Sequence, residues 1–546
     1  MRKIIIAIAI VTLGCSKHGG GPAPAFSVSF TVDGLNNGTT TYQVSPKTPV
    51  VRFSFSAPLP AGVSSSSFSF FGPGNTAVPF TIAVGAGDSV VTVQPASALD
   101  AFGKYTLAIS VGLTSAQGGT LTNPVTITLN TTLDSTDKFP RISDSALLTL
   151  VEQQTFKYFW DFGHPDCGMA RERNTSGDVV TVGGSGFGVM SIIVGVYRNF
   201  ISRADGLARV QRIVTFLTDS AQRYHGAFPH WINGATGATV PFSTQDDGAD
   251  LVETAYMMEG LLTARQFFNS TADTNETHLR AGINALWAGV DWSWFRQNGQ
   301  NTLYWHWSPD YAWSTNQQVN GWDEALITYV VAASAPAGAI PKAVYDNGWA
   351  GNGSIRNGSA FEGVTLPLGP DYGGPMFFAH YSFLGLDPHR ISDAYANYWV
   401  QDTAHATINY QYCVANPKHY NGYSASCWGL TASDDNVSGY AAHSPTNDLG
   451  IISPTAAIAS LPYKPAASMN ALRFFYYTLG DKLWGQYGFI DAFNLTNPWF
   501  ASSYLAIDQG PEIVMIENYR SGLLWNLFMS CPEINTGLQN LGFQVH

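Results

Sequence analysis

Apolar and polar positions follow two different patterns along this chain, and the pattern changes near residue 134. In the runs 26–32, 50–55, 89–93 and 106–111 apolar residues largely alternate with polar ones. A period of two turns one side of an extended strand to a core and the other to water. Turns rich in Gly, Pro, Asn and Ser separate the runs at the spacing of a β-sandwich. Residues 26–134 therefore predict an all-β, immunoglobulin-like sandwich, a spacer or sugar-binding accessory. From residue 140 onward the apolar positions recur every three to four residues instead. Helices are predicted at 143–160, 188–203, 206–224, 247–268, 275–297, 323–334, 391–410, 466–480 and 508–529, the first with Ser143 or Asp144 as its cap. Long loops rich in Gly, Trp, Pro and Asn lie between them. No alternation of strand and helix appears, which argues against a parallel sheet or an eight-stranded barrel. The expected architecture is multidomain: the sandwich, then an all-α (α/α)6 barrel over 140–546 whose loops form an open cleft at one end.

The first residues follow neither pattern. Arg2 and Lys3 precede an apolar stretch at 4–13, long enough for a signal peptide and too short for a membrane span. Thr12, Leu13, Gly14, Cys15 and Ser16 resemble a bacterial lipobox with Cys15 as the lipidated residue. A lipoprotein signal peptide at 1–15, a flexible linker at 16–25 and an exported protein held at the outer membrane by lipid are expected. Lys17 and the glycines after it leave the periplasmic and cell-surface faces both open.

Charge narrows the partners. A formal net charge of -12 argues against nucleic acid, whose binding depends on Lys and Arg. The 15 Trp and 25 Tyr suit stacking on sugar rings as well as core packing. Cys413 and Cys427 are the nearest cysteine pair for a disulfide, and no Cys/His spacing of a metal site exists. Neither metal nor cofactor is called for, and a monomer is expected.

Four acidic residues, Asp246, Asp247, Asp250 and Glu253, fall within eight positions of a chain with only 12% charged residues. Read as a helix, Asp246, Asp250 and Glu253 share one face. Asp246 and Asp247 suit a helix N-terminus, where negative charge complements the dipole. Asp250 and Glu253 lie further in, and carboxylates held close at different pKa values are what glycoside hydrolysis requires. A second constellation is the aromatic loop carrying Trp305, Trp307, Trp313 and Trp322, which runs into Asp323 and Glu324 at a helix start. Indole neighbours desolvate a carboxyl and suit it to donate a proton. Loops after Trp428 and around Tyr440 read as substrate-lining. Asp508 and Glu512 open a last helix, in which Glu517 and Arg520 could form a buried pair. The glycine run 183–188 reads as tight backbone entry to a helix and lacks the surroundings of a phosphate loop.

Several ordered segments (169–173, 186–190, 225–234, 246–254, 428–432, 453–456 and 506–511) together resemble the bacterial "putative glucoamylase" family, which includes glycoside hydrolase family 144. The resemblance covers roughly 145–532, and the part before it is similar to a bacterial Ig-like domain. It implies the (α/α)6 barrel and an inverting hydrolase of β-1,2-glucans, endo-acting or sophorose-releasing. It also places acidic cleft residues at Asp246, Asp250, Glu253 and Glu324. Arg171, His230, Trp305, Trp307, Trp322, Trp428 and Asp508 are the substrate-binding candidates. Glu324 is the expected general acid, with Asp250 or Glu253 positioning or activating water. Two other readings stay open: a glycan-binding lipoprotein without catalysis, and a glucoamylase acting on α-glucans.

Overall fold

The structure is a computed structural model and describes residues 25–45 and 47–546. The leader reading and Cys15 lie outside them. The chain forms two units, Met1–Ser135 and Thr136–His546.

Among the described residues the first unit holds eight strands: β1 (Val28–Val32), β2 (Thr41–Val44), β3 (Val51–Phe55), β4 (Phe68–Phe71), β5 (Phe80–Val84), β6 (Val90–Pro95), β7 (Lys104–Ile109) and β8 (Val125–Thr131). They form two four-stranded sheets in the orders β1-β3-β6-β5 and β2-β8-β7-β4. All pairings are antiparallel except the parallel β2–β8 pair. The period of two has its expected effect in β7, where Tyr105, Leu107 and Ile109 are buried and the residues between them are not. With Phe53, Val91, Ile127 and Leu129 they make the core of this unit.

The second unit is mainly helical. Its first helices are α1 (Asp144–Trp160), α2 (Val182–Tyr197), α3 (Arg203–Asp219), α4 (Leu251–Phe267), α5 (Thr274–Ala288) and α6 (Leu326–Ser334). Then follow α7 (Tyr398–Ala415), α8 (Pro454–Ala459), α9 (Pro465–Arg473), α10 (Ala506–Ser521), α11 (Leu523–Met529) and α12 (Pro532–Leu541). Ser143 caps α1 by accepting the Ala146 N–H. Helix α2 packs on α4 and α10, α4 on α6, and α10 on α8. Between α6 and α8 lie the short turns Met376–Ala379 and Tyr381–Phe383. They are tied on one side by the Ile327 N–H to Ser382 (3.0 Å) and on the other by the Tyr463 hydroxyl to the Ala379 carbonyl (2.8 Å). Helices α1, α3, α5, α7, α9 and α12 pack against these segments.

Residues 251–265 of α4 are buried on every side, so this helix belongs to the interior. Glycine sets its closeness to α2. A Cβ on Gly186 would stand 2.2 Å from the Tyr256 carbonyl oxygen, and one on Gly260 would stand 2.2 Å from the Gly186 carbonyl oxygen. Helix α2 therefore starts six residues before the predicted 188 and takes in the glycine run.

Four further expectations change. Asp246 and Asp247 precede α4 in a turn, so no helical face joins Asp246, Asp250 and Glu253. Glu324 likewise stands in the turn before α6 rather than in its first turn. Glu517 pairs with Arg198 (2.6 Å) instead of Arg520, whose guanidinium binds Glu152. Cys167, Cys413, Cys427 and Cys531 are all buried free thiols, so Cys413 and Cys427 are not bridged. Among the described residues no helix is long and apolar enough to cross a membrane.

Candidate active site

The site begins with the start of α4. Ahead of it run β9 (Val179–Thr181), β10 (Trp231–Asn233), β11 (Thr239–Val240) and β12 (Ala249–Asp250), and β12 pairs with β13 (His306–Trp307). Asp250 ends β12 and caps α4: its Oδ1 accepts the N–H groups of Val252 (3.0 Å) and Glu253 (2.9 Å). Its Oδ2 lies 2.9 Å from His230 Nδ1. Burial works against its charge, yet His230, His306 and the cap hold the Asp250 carboxyl below its ordinary value. Burial likewise works against the charge of His230, but Glu253, Asp250 and Asp246 outweigh it and push the imidazole up to about 9. Asp250 is fully buried, with both oxygens engaged, and is built to orient its neighbours.

One turn further, Glu253 reaches a cleft of about 370 Å³. Its Oε2 accepts the Gly183 N–H at 2.7 Å. A Cβ on Gly183 would fall 2.7 Å from that same oxygen, so only glycine lets the start of α2 approach this carboxyl. Burial raises the Glu253 carboxyl; His230 opposes the rise and Asp250 adds to it. Glu324 lines the same cleft. Its backbone carbonyl accepts the hydroxyls of Tyr256 (3.1 Å) and Ser382, which fixes the turn that carries it. Burial pushes the Glu324 carboxyl up to about 7; its own N–H draws it down, while Glu253 and Asp250 raise it further. The cleft thus holds two carboxyls that repel one another, one of them protonated to near neutrality.

The walls are aromatic. Trp305, Trp231, Phe242, Phe377, Tyr381 and Tyr440 line the cleft, and the half-exposed Phe242 ring lies over His230 with centroids 4.4 Å apart. Of the sequence-predicted substrate-binding candidates, His230 and Trp305 line the cleft. Others do not. Trp322 is packed among Trp349, Phe383 and Tyr398, and Trp428 is fully buried against Tyr410. Trp307 packs with His225, Tyr224 and Trp294 and is no part of the cleft wall. Arg171 is spent on the Phe162 and Gly177 carbonyls; its neighbours Glu172 and Arg173 face the cleft instead. A Trp in a polar loop carries no mark that separates a sugar platform from a core ring, and large indoles gain most by burial.

Behind the cleft sits a second acidic group. Arg173 donates to both oxygens of Asp434 (3.1 and 3.2 Å), and the Asp434 N–H donates to Asp491 at 2.7 Å. Asp491 is fully buried, and burial followed by the Asp434 charge pushes its carboxyl up to about 7. Burial, then Asp491, raises Asp508 well above its ordinary range. Asp508 is not among the residues that line the cleft; it lines a small pocket that shares Phe377, Tyr381 and Ile507 with it. Asp491, absent from the sequence candidates, sits in an apolar stretch with no motif around it. Asp246, also buried, stands 3.3 Å from His306 Nδ1, and donor atoms of His230, Asp246 and Asp250 lie within 4.8 Å of one another.

Residues 316–532 match the family described as "Putative glucoamylase", and residues 27–132 match that described as "Bacterial Ig-like domain". The chain is similar to a solved "putative glucoamylase" of Bacteroides uniformis (54% identity, 74% of this chain and 99% of that one, TM-score 0.73). It is also similar to an endo-β-1,2-glucanase of Chitinophaga pinensis, solved with sophorotriose and glucose (51% identity, 74% and 99% covered, TM-score 0.72). An exo β-1,2-glucooligosaccharide sophorohydrolase of Parabacteroides distasonis is 45% identical over 423 residues, 73% of this chain. The chain spans 58% of that protein's length. Matched at 54% identity across almost the whole of a solved relative, the chain belongs to the "Putative glucoamylase" family.

Proposed function

We propose that this protein hydrolyses β-1,2-glucans, endo-acting or releasing sophorose, by direct inversion at the anomeric carbon. The observation that carries the reading is the pairing of Glu324, its carboxyl pushed up to about 7, with Glu253 in one aromatic-walled cleft. The linkage is taken from the relatives, one an endo-β-1,2-glucanase and one a sophorohydrolase. In this reading Glu324 donates its proton to the departing glycosidic oxygen while Glu253 takes one from the attacking water. Asp250 touches neither; it holds His230 and the first turn of α4 beside Glu253. The order of packing through α2, α4, α6, residues 376–383, α8 and α10, with outer helices around them, supports an (α/α)6 barrel. Export, lipid attachment at Cys15 and a monomeric state belong to the same proposal and rest on the sequence. Labelling with a radioactive fatty acid in wild type and Cys15→Ala tests the anchor.

Glu324→Gln preserves size and removes the proton. It is expected to lower kcat on linear β-1,2-glucan by about a thousandfold or more with little change in KM. Near-full activity would remove Glu324 from the chemistry. A substrate panel including β-1,3-, β-1,4- and α-1,4-glucans separates the proposal from the α-glucan reading, because only the latter yields glucose from maltooligosaccharides.

A further inference from the structure

Loops outside the cleft carry a second group of aromatic rings. The His225 imidazole stacks on Trp294 with centroids 3.4 Å apart, and Trp294 in turn lies against Trp313 at 4.7 Å. Trp307 stands nearly at right angles to both His225 and Trp294, 5.2 and 5.3 Å away. His225 is exposed, Tyr311 is 45% exposed, and Trp294, Trp307 and Trp313 are half-buried. Rings kept partly in water and gathered in one place are not explained by core packing, as the buried Trp428 is. The backbone is strained to present them. His225 (φ 52°), Gln297 (φ 43°) and Ala312 (φ 52°) lie in the left-handed region that residues with a Cβ rarely adopt. The Ser308 hydroxyl oxygen fixes the turn after Trp307 by accepting the N–H groups of Asp310 (3.1 Å) and Tyr311 (2.8 Å). Two segments join this cluster to the cleft. One runs from Trp305 in the cleft wall to Trp307, about 7 Å at a strand's rise of roughly 3.3 Å per residue. The other runs from His225 to His230 and Trp231, which also line the cleft. Asp310 is the only Asp, Glu, Lys or Arg between positions 297 and 322, a stretch rich in Asn and Gln. Just before it, Arg296 donates to the Gly299 and Gln300 carbonyls, and Asp291 accepts from Ser293 and Trp294.

We propose that His225, Trp307, Tyr311 and Trp313 form a second carbohydrate-binding surface, which takes the part of a β-glucan chain lying outside the cleft. The proposal rests on the glucanase reading above. A sugar ring turns an apolar face to an aromatic ring and carries hydroxyls at its edge. The exposed amides of Asn298, Asn316 and Gln317 belong to the same loops and can both donate to and accept from such hydroxyls. A nearly uncharged surface suits a neutral chain and not an ion or a nucleic acid. Trp294 is taken up by His225 and Trp313 and supports them. A chain already held in the cleft meets this surface as an intramolecular contact. The surface therefore strengthens binding of long chains and adds nothing for those that end inside the cleft.

Two variants of the full chain test it, both checked for folding by circular dichroism. Tyr311→Ala removes an exposed ring, and His225→Asn removes another while keeping a residue that tolerates the left-handed backbone. In each, KM for long linear β-1,2-glucan is expected to rise about fivefold with kcat unchanged. Both constants should stay as they are for a short β-1,2-glucooligosaccharide that fills only the cleft. An equal rise for short and long substrates would mean that the rings act through the cleft, and no rise for the long one that they only pack on each other. Either result overturns the proposal. Native electrophoresis in gels containing linear β-1,2-glucan reads binding without hydrolysis when all proteins also carry Glu324→Gln. Retardation is expected, and it should be weaker once Tyr311→Ala is added; equal retardation would overturn the proposal. If the unsubstituted protein hydrolyses no β-1,2-glucan, the glucanase reading fails by itself. Gels with β-1,3- and β-1,4-glucans then decide the surface separately, where no retardation, or none lost in Tyr311→Ala, overturns it.

Discussion

Asp250 and Glu253 come from one acidic segment, yet their surroundings give them opposite tasks. Asp250 spends one oxygen on the cap of α4, worth about 1 kcal/mol in such helices, and the other on His230. Glu253 keeps access to the cleft. Phe242 is half exposed and lies over His230 and Trp231. Stacking of this kind contributes about 1 kcal/mol beyond area, so Phe242→Ala should raise KM several-fold and leave kcat nearly unchanged. An unchanged KM would take the ring out of substrate binding. Glu512 reports on burial without touching the cleft. Its carboxyl is fully buried beside Thr155, and burial pushes it from 4.5 up to about 8. Between those values the folded chain keeps a proton that the unfolded chain releases. The stability this gives is complete below 4.5 and is lost as pH rises through about 8, at about 1.4 kcal/mol per pH unit. Glu512→Gln should therefore flatten the fall in Tm between about pH 5 and about pH 8. Equal slopes in wild type and variant would contradict the raised value.

At the level of elements, α2 and α4 set the geometry of the site. Gly186 and Gly260 let their backbones meet, and Gly183 lets α2 give its N–H to Glu253. Gly186→Ala is expected to cost about 2 kcal/mol or more by overpacking, seen as a lower denaturation midpoint; an unchanged midpoint would mean that the helices can part freely. These two helices also show what could be read in the chain. The apolar period located α1 and the start of α5 closely, because each buries one side and exposes the other, but it ran past the ends of α3 and α5. It misplaced the start of α2, whose glycines look like a loop until their neighbour is known. It also placed Asp246 in a helix, although the chain there turns and pairs before α4 begins. Glu253, Glu324 and Trp305 were legible because acidic clusters and dense aromatic loops are local features, whereas His230 came from the family resemblance. Phe242, Tyr381 and Asp491 were not, since their roles arise from contacts between distant segments.

For the molecule as a whole, a chain of net charge -12 concentrates its chemistry where charge is most restrained. Glu324, Asp491 and Asp508 all hold protons above the ordinary carboxyl range in or beside the cleft. Every residue of that cleft belongs to the second unit, and the first supplies a sandwich with its own core. The proposed chemistry thus rests on residues of the second unit, and its sharpest signature is stereochemical. The most direct measurement follows linear β-1,2-glucan by proton NMR from the moment protein is added. New reducing ends should appear first as the α-anomer, the outcome of inversion at a β-linkage. No new reducing ends, or the β-anomer first, would contradict the account.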